Sequence, residues 1–377
     1  LFMFGNRKIL LAIFSAGFAV QPLFSAGTNS LEFLNLGCGS RSIALAQASS
    51  AASDDTSSMF YNPAALATIN EFKASFMFNE HVQNLHHSHI GAVLPLNLPN
   101  RATLGVGLYN LSIRNIPEYD HTGRRLNSVS AYTNMLSLSY AQEISYWLML
   151  GASVKFAQEK LHTKEASAQM LDLGFWHPTA VPWLSIGGSL LNIGPGMKYE
   201  NEKFPLPRTL RYGASYNLPY LNRSILLLAE NFKVKNENSV FSAGVEINTI
   251  PHLSFRTGYS SLKKSGSKSS FGLGFRIGKI RLDYALAPFG SLGDSHSITF
   301  EYLMEPVRKS ARHQLREEES EVLYNRAVQA YIREDEIGAL KVLKRARKAY
   351  PENSKVSKLQ KEIANSLYEK ADSLYIK

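Results

Sequence analysis

Residues 132–142 read YTNMLSLSYAQ and residues 147–157 read WLMLGASVKFA. In the first, Leu136, Leu138 and Tyr140 share one face of an extended chain while Ser137 and Ser139 share the other. In the second, Leu148, Leu150, Ala152, Val154 and Phe156 alternate with Met149, Gly151, Ser153 and Lys155. A period of two with unlike faces is the pattern of a β-strand. It recurs further on. Phe271, Leu273 and Phe275 alternate with Gly272 and Gly274; Ile280, Leu282, Tyr284 and Leu286 with Arg281, Asp283 and Ala285; Ile298, Phe300 and Tyr302 with Thr299 and Glu301. One face is apolar throughout, the other small or polar.

Such alternation suits a soluble sandwich as well as a membrane barrel, so segment number and length decide. Between residues 71 and 304 the pattern gives candidate strands starting near Glu71, His86, Arg101, Tyr132, Ser145, Glu165, Pro182, Pro207, Arg223, Ser239, His252, Lys268, Ile280 and Ser295. They run to about ten residues, the ~9–11 that a tilted strand needs to cross a bilayer and longer than the ~5–6 usual in soluble sheets. The even count fits an all-β, antiparallel transmembrane β-barrel of about 14 strands, as do aromatic residues near strand ends such as Tyr140, Trp147, Trp176, Trp183 and Tyr302. Hydrocarbon offers backbone groups no partner, so a sheet persists there only when closed on itself. An even barrel brings its ends out on one side, expected to be the periplasm. The stretches 116–131, 194–204 and 261–268 are then the expected long outer loops.

Composition agrees. The 377 residues have a mean hydropathy of −0.15, too polar for a bundle of membrane helices. The net charge of +10 does not point to nucleic acid, because much of the basic excess lies after Pro306 among alternating charges. Cys38 is the single cysteine, which rules out an intrachain disulfide and a cysteine-rich metal cage. No GxSxG, Walker or HExxH motif is present, so no catalytic residue, metal or cofactor is expected. His81, His86, His87 and His89 lie close together, but side chains at the start of a strand suit a lumen or an interface better than a metal site.

The N-terminus has the three-part layout of a secretory signal peptide: Arg7 and Lys8, the apolar run of residues 9–20, then Ser25 and Ala26. Cleavage is expected after Ala26, and residues 1–26 stand outside the fold.

Residues 26–67 read AGTNSLEFLNLGCGSRSIALAQASSAASDDTSSMFYNPAALA. Phe33, Leu34, Gly37, Gly39, Arg41, Ala44, Ala48, Asp54, Asp55, Asn62, Pro63, Ala64, Leu66 and Ala67 carry a resemblance to the PorV/PorQ-like outer-membrane family, which is similar in turn to FadL-type transporters of hydrophobic compounds. Further matching stretches extend it over most of residues 27–303. Ser40, Cys38 and Tyr61 depart from the family pattern conservatively. The resemblance implies a roughly fourteen-stranded barrel with residues 27–70 folded inside it as a plug, or hatch. Arg41, Asp54, Asp55, Asn62 and Pro63 are its candidate key residues. Residues 40–52 are expected to form a helix, small enough to pack within a barrel. Asp54 and Asp55 would follow it, bonding backbone donors or pairing with Arg281 or Lys155. Asn62 would be extended before Pro63, with a short helical turn over Ala64–Ala67. Lys155, Arg281, Asp283 and Glu301 are expected in the lumen, in pairs.

From residue 312 to 377 the period changes to about 3.6. Leu323, Ala327, Tyr331, Ala339, Leu343, Ala346 and Pro351 resemble one tetratricopeptide repeat, too few to stand as a solenoid. This tail is expected in the periplasm, where a protein partner could dock on its helices. The whole implies a non-enzymatic protein of the bacterial outer membrane, surrounded by its lipid, that passes hydrophobic small molecules passively. The alternative is a PorV-like secretion component that holds exported proteins at the cell surface.

Overall fold

A computed structural model of the chain describes residues 29–82, 85–98, 101–181, 183–199, 202–220, 223–250, 252–261, 268–289, 292–306, 311–333, 335–349 and 353–375. The expected signal peptide, most of the expected loop 261–268 and Pro351 lie outside the described residues.

Fourteen strands close into one antiparallel barrel. They are β1 (Glu71–His81), β2 (Leu85–Pro95), β3 (Thr103–Tyr119), β4 (Arg125–Ser145), β5 (Leu148–Leu161), β6 (Lys164–Pro178), β7 (Leu184–Ile193), β10 (Thr209–Tyr220), β11 (Arg223–Val234), β12 (Val240–Ile250), β13 (Leu253–Ser260), β14 (Ser269–Ile277), β15 (Ile280–Pro288) and β16 (Asp294–Pro306). A separate ribbon, β8 (Met197–Tyr199) with β9 (Glu202–Phe204), lies between β7 and β10. Each wall strand pairs with its chain neighbours, and β1 pairs with β16 to complete the ring. The chain therefore enters and leaves the barrel at one rim, called the near rim below; the other is the far rim.

Two expected loops are corrected. Most of residues 116–131 continue β3 and β4, which run to 17 and 21 residues and pair as far as Tyr119 with Arg125. Residues 194–204 hold the β8–β9 ribbon. In both, charged residues had suggested a loop, but hydrogen bonding between adjacent strands does not depend on side-chain polarity.

The faces are inverted relative to a soluble protein. Leu138, Val154, Phe156, Leu273, Leu282 and Phe300 are all more than 40% exposed, while Ser137, Ser139, Ser153, Lys155, Asp283 and Glu301 are buried. The apolar face points out and the polar face in, as required of a wall that sits in hydrocarbon.

Residues 29–69 run through the lumen from far rim to near rim. Their start is tied at the far rim by Ser30 N donating to Pro205 O at 2.9 Å, and their end leads into β1. They form a 3₁₀ turn (Glu32–Asn35), α1 (Ser40–Ala44), α2 (Ser58–Tyr61) and a second 3₁₀ turn (Pro63–Thr68). The helix expected over 40–52 stops at Ala44. Ala46 and Gln47 take left-handed φ of 52° and 62°, and the wall supplies the backbone partners that a longer helix would have supplied. Ala46 N donates to Ser270 Oγ (3.1 Å), Ser50 N to Glu230 Oε2 (2.6 Å), and Arg211 to Gln47 O (2.8 Å). A run of Ala and Ser has no apolar stripe to fix it as a helix, so these polar partners decide its course.

The C-terminal region forms a second unit of three helices, α3 (Ala311–Ile332), α4 (Glu336–Ala349) and α5 (Ser354–Tyr375). Ala327, Ala339, Leu343 and Ala346 pack with Val356, Leu359 and Ile363, and Leu323 and Tyr331 lie partly buried against them. Lys355 pairs with Glu321 across α5 and α3. Among the described residues no helix is long and apolar enough to cross a membrane, which says nothing about strands.

Candidate functional site: the occupied lumen

The site is the interior of the barrel, and its chemistry differs around the ring. Along β12–β16 it is ionic. Arg41, projecting from α1, places Nε 2.7 Å from Glu246 Oε2 on β12 and a terminal nitrogen 3.4 Å from Asp55 Oδ2. Glu246 also accepts from Arg256 Nε at 2.7 Å, and Arg256 reaches Asp283 at 2.6 Å. Arg281 closes the chain of charges with contacts to Glu301 (2.6 Å), Asp283 (3.1 Å) and Asp55 (3.9 Å). Thr56 donates to Glu301 at 3.1 Å, and Ser40 shares hydrogen bonds with Ser297 and Thr299. Every strand residue in this network occupies an inward position of the alternating pattern.

Within the inner segment this arrangement sets protonation. Burial works to raise the Asp55 carboxyl, but Arg41, Arg281 and two hydrogen bonds from Ser57 overcome it and hold the carboxyl at about 2. Burial opposes the charge on Arg41, yet Glu246 and Asp55 raise its affinity for the proton above the ordinary value. Both groups stay ionised across the physiological range. Asp54 is separate: its half-exposed side chain meets Lys73 Nζ of β1 at 2.6 Å. Cys38 is fully buried, and burial pushes its thiol up, away from reactive thiolate.

Along β4–β7 the contact is steric instead. Asn62 is extended (φ −158°, ψ 100°) before Pro63; its Oδ1 accepts from Ala64 N at 3.1 Å, while its Nδ2 donates to Ser50 O (2.7 Å) and Phe175 O (2.8 Å). One buried amide thus caps the 3₁₀ turn and pins it to β6. The turn lies directly on the wall. A Cβ at Gly151 would overlap the backbone of Pro63 and Ala64, and one at Gly174 would overlap Asn62 Oδ1. Trp176 Nε1 donates to Ala51 O at 3.0 Å and Ser189 Oγ to Tyr61 O at 2.6 Å. Lys155, which the sequence offered as a partner for Asp54 or Asp55, pairs with Asp172 on β6 (2.6 Å) and Asn192 (3.1 Å) instead. It rises from β5, on the steric side, where Asp172 is its neighbour.

Toward the far rim, β2–β4 with β6 and the β8–β9 ribbon present a third character. Leu31, Phe33 and Leu34 join Tyr109, Met135, Met170, Met197 and Leu206 in an apolar cluster. His87 lies edge-on to Phe33 (6.4 Å between ring centres), and His89 stacks on Tyr109 (4.4 Å). A cavity of about 10 Å³, room for a single water molecule, lies between Arg41, Asp55, Ser57, His89 and Arg281. No three metal-ligating side chains converge among the described residues.

The sequence reading missed Glu246, Arg256, Asp172 and Glu230. Each carried a readable signal, a charge at an inward position of an alternating strand, but which charges meet across the lumen depends on strand order. The glycines that alternate within the strands have a use that the pattern does not show: Gly151, Gly174 and Gly272 make room for the inner segment.

No protein-family model matches the chain, and no curated protein matches it. Among solved structures it is similar to the Pseudomonas putida toluene transporter TodX, at 12% identity and a TM-score of 0.53 over 71% of this chain and 99% of that one. It is similar also to the CymD monoaromatic hydrocarbon channel, at 14% identity and a TM-score of 0.53 over 72% of this chain and 99% of that one. A Pseudomonas aeruginosa FadL homologue matches at 11% identity and a TM-score of 0.49 over 70% and 97%. At these identities the likeness is one of fold. The chain shares with TodX and CymD the architecture of a large closed antiparallel barrel.

Proposed function

We propose that the protein is a bacterial outer-membrane barrel that lets hydrophobic small molecules cross passively, with residues 27–70 as its plug. The observation that carries this reading is the combination of a closed barrel bearing an apolar exterior and a lumen filled by a segment of the same chain. A wall of that kind belongs in a bilayer. A lumen occupied by a short, turn-rich segment, rather than by wall side chains, can be vacated without opening the sheet. The apolar cluster at the far rim gives an apolar solute its first favourable surface. Residues 1–26 act as the export signal, and the helical unit from residue 312 lies in the periplasm, where its tetratricopeptide-like hairpin receives a protein partner. The likeness to TodX and CymD, a toluene transporter and a hydrocarbon channel, supports the same class of cargo.

The test is entry of the apolar dye N-phenyl-1-naphthylamine across the outer membrane of cells that produce the full chain. Dye fluorescence is expected to rise several-fold faster than in cells without it. Equal rates, with the barrel recovered from the outer-membrane fraction, would sink the reading.

A further inference from the structure

Most polar side chains of the lumen are satisfied. Each lumen cation described above sits within 3.4 Å of a carboxylate: Arg41, Lys73, Lys155, Arg256 and Arg281, and likewise Arg211 with Glu230 at 2.6 Å. A contrasting group lies on the inward faces of β1–β4. His87 is fully buried, and neither ring nitrogen meets a hydrogen-bond partner among the described residues; the same holds for Nε2 of His89, Oη of Tyr109, Nδ1 of His81 and Oγ of Ser137. These side chains are neighbours. His87 and His89 occupy successive inward positions of β2, His89 stacks on Tyr109, and Ser137 faces Gly107, one inward position from Tyr109 on β3. Phe33 lies edge-on to His87 and Leu34 packs in the same cluster as Tyr109, while His89 also borders the small cavity shared with Arg41, Asp55 and Arg281, and Ser137 stands in register with Lys155.

Buried donors and acceptors left unpartnered are costly, and folded proteins retain few of them. Five such side chains, directed inward from four adjacent strands and flanked by Phe33, form a recognition surface for something that brings its own polar group. A bare hydrocarbon would leave every one of these atoms unmatched. A carboxylate or phosphate would need a cation, and the lumen cations are already paired. A neutral imidazole offers one donor and one acceptor, and a hydroxyl offers both in return.

Resting on the transport reading, we infer that the far-rim lumen selects neutral, hydroxyl-bearing apolar molecules, whose hydroxyl bonds to His87, His89 and Tyr109 while the apolar body takes the place of Phe33 and Leu34. The segment that must yield is suited to it. Leu31 holds a left-handed φ of 54°, a conformation that a leucine adopts only under constraint, and the 3₁₀ turn after it spans four residues. The wall stays intact while Glu32–Asn35 moves.

The test compares two probes of nearly equal apolar body, 1-naphthol and naphthalene, titrated by fluorescence onto the detergent-purified full chain. 1-Naphthol is expected to bind at least about tenfold tighter than naphthalene. In the double variant His87→Leu/His89→Leu the two affinities should converge through loss of 1-naphthol binding, with naphthalene retained or strengthened. Tyr109→Phe should reduce the preference in part. Heat-modifiable electrophoretic mobility reports whether each variant is a folded barrel; if the double variant is not, Tyr109→Phe decides alone. Equal affinities for the two probes on the unaltered protein, or a preference that survives in the folded variants, would overturn the inference and leave passive transport standing. Binding of neither probe would overturn the inference and count against the transport reading as well.

Discussion

The inner segment is held by two walls in two different ways. Against β12–β16, residues 40–56 approach the wall closely at Gly258 and Gly272 and are held in addition by ion pairs and hydrogen bonds: Arg41 to Glu246 and Asp55, Asp55 to Arg281, Thr56 to Glu301. Against β4–β6, residues 62–68 are held by close approach, with the 3₁₀ turn seated on Gly151 and Gly174 and one amide, Asn62, bridging to β6. The contrast teaches which side can let go. Ionic contacts inside a low-dielectric lumen are strong while complete, yet losing one partner strands the others. Steric contacts degrade by small displacements. A segment seated closely on both sides but gripped ionically on only one can lose that grip while still seated on the other.

Removing one ionic partner should have the largest effect. Glu246→Ala leaves Arg41 and Arg256 buried without their shared carboxylate, at a cost of about 3–5 kcal/mol. Hydrogen–deuterium exchange should rise in peptides from residues 40–56 and stay unchanged in those from 62–68; a uniform rise would erase the distinction between the walls. Next comes Gly151→Val, which drives a side chain into the backbone of Pro63 and Ala64 and should cost about 3 kcal/mol, the upper end of overpacking because backbone has to move. Here exchange should rise in residues 62–68 and leave the Arg41 pairs in place. The smallest effect is that of acid. The Asp55 carboxyl is held at about 2 in the folded protein, below its ordinary value of 3.8, so the stabilisation is complete above about pH 4 and fades as pH falls toward 2. It is worth roughly 2 kcal/mol, about 1.4 per unit. Chemical denaturation between pH 5 and 2.5 should show that loss in the native chain and a shallower one in Asp55→Asn.

The barrel was legible because its evidence is local. Alternation in residues 147–157 or 280–286 needs no partner to be read, and the strand starts expected at Glu71, Arg223 and Ile280 are the observed ones. The long hairpin β3–β4 was less legible, since Asp120, His121, Arg124 and Arg125 are as suited to a loop as to the turn of a ribbon. In the lumen, residue types could be read but pairings could not. Arg281, Asp283 and Glu301 lie at inward positions of their strands, while Lys155 meets Asp172 and Arg41 meets Glu246, 205 residues away.

By itself, then, the sequence determined the closed sheet, its strand number and the direction of its faces, because period and segment length follow from the chain's own geometry and from the absence of hydrogen-bond partners in hydrocarbon. Only the tertiary structure decided where the helix after Gly39 ends, which glycines seat the inner segment, and which histidines are left without partners. Those outcomes depend on residues that closure of the ring brings together from opposite walls, and sequence separation carries no record of that distance.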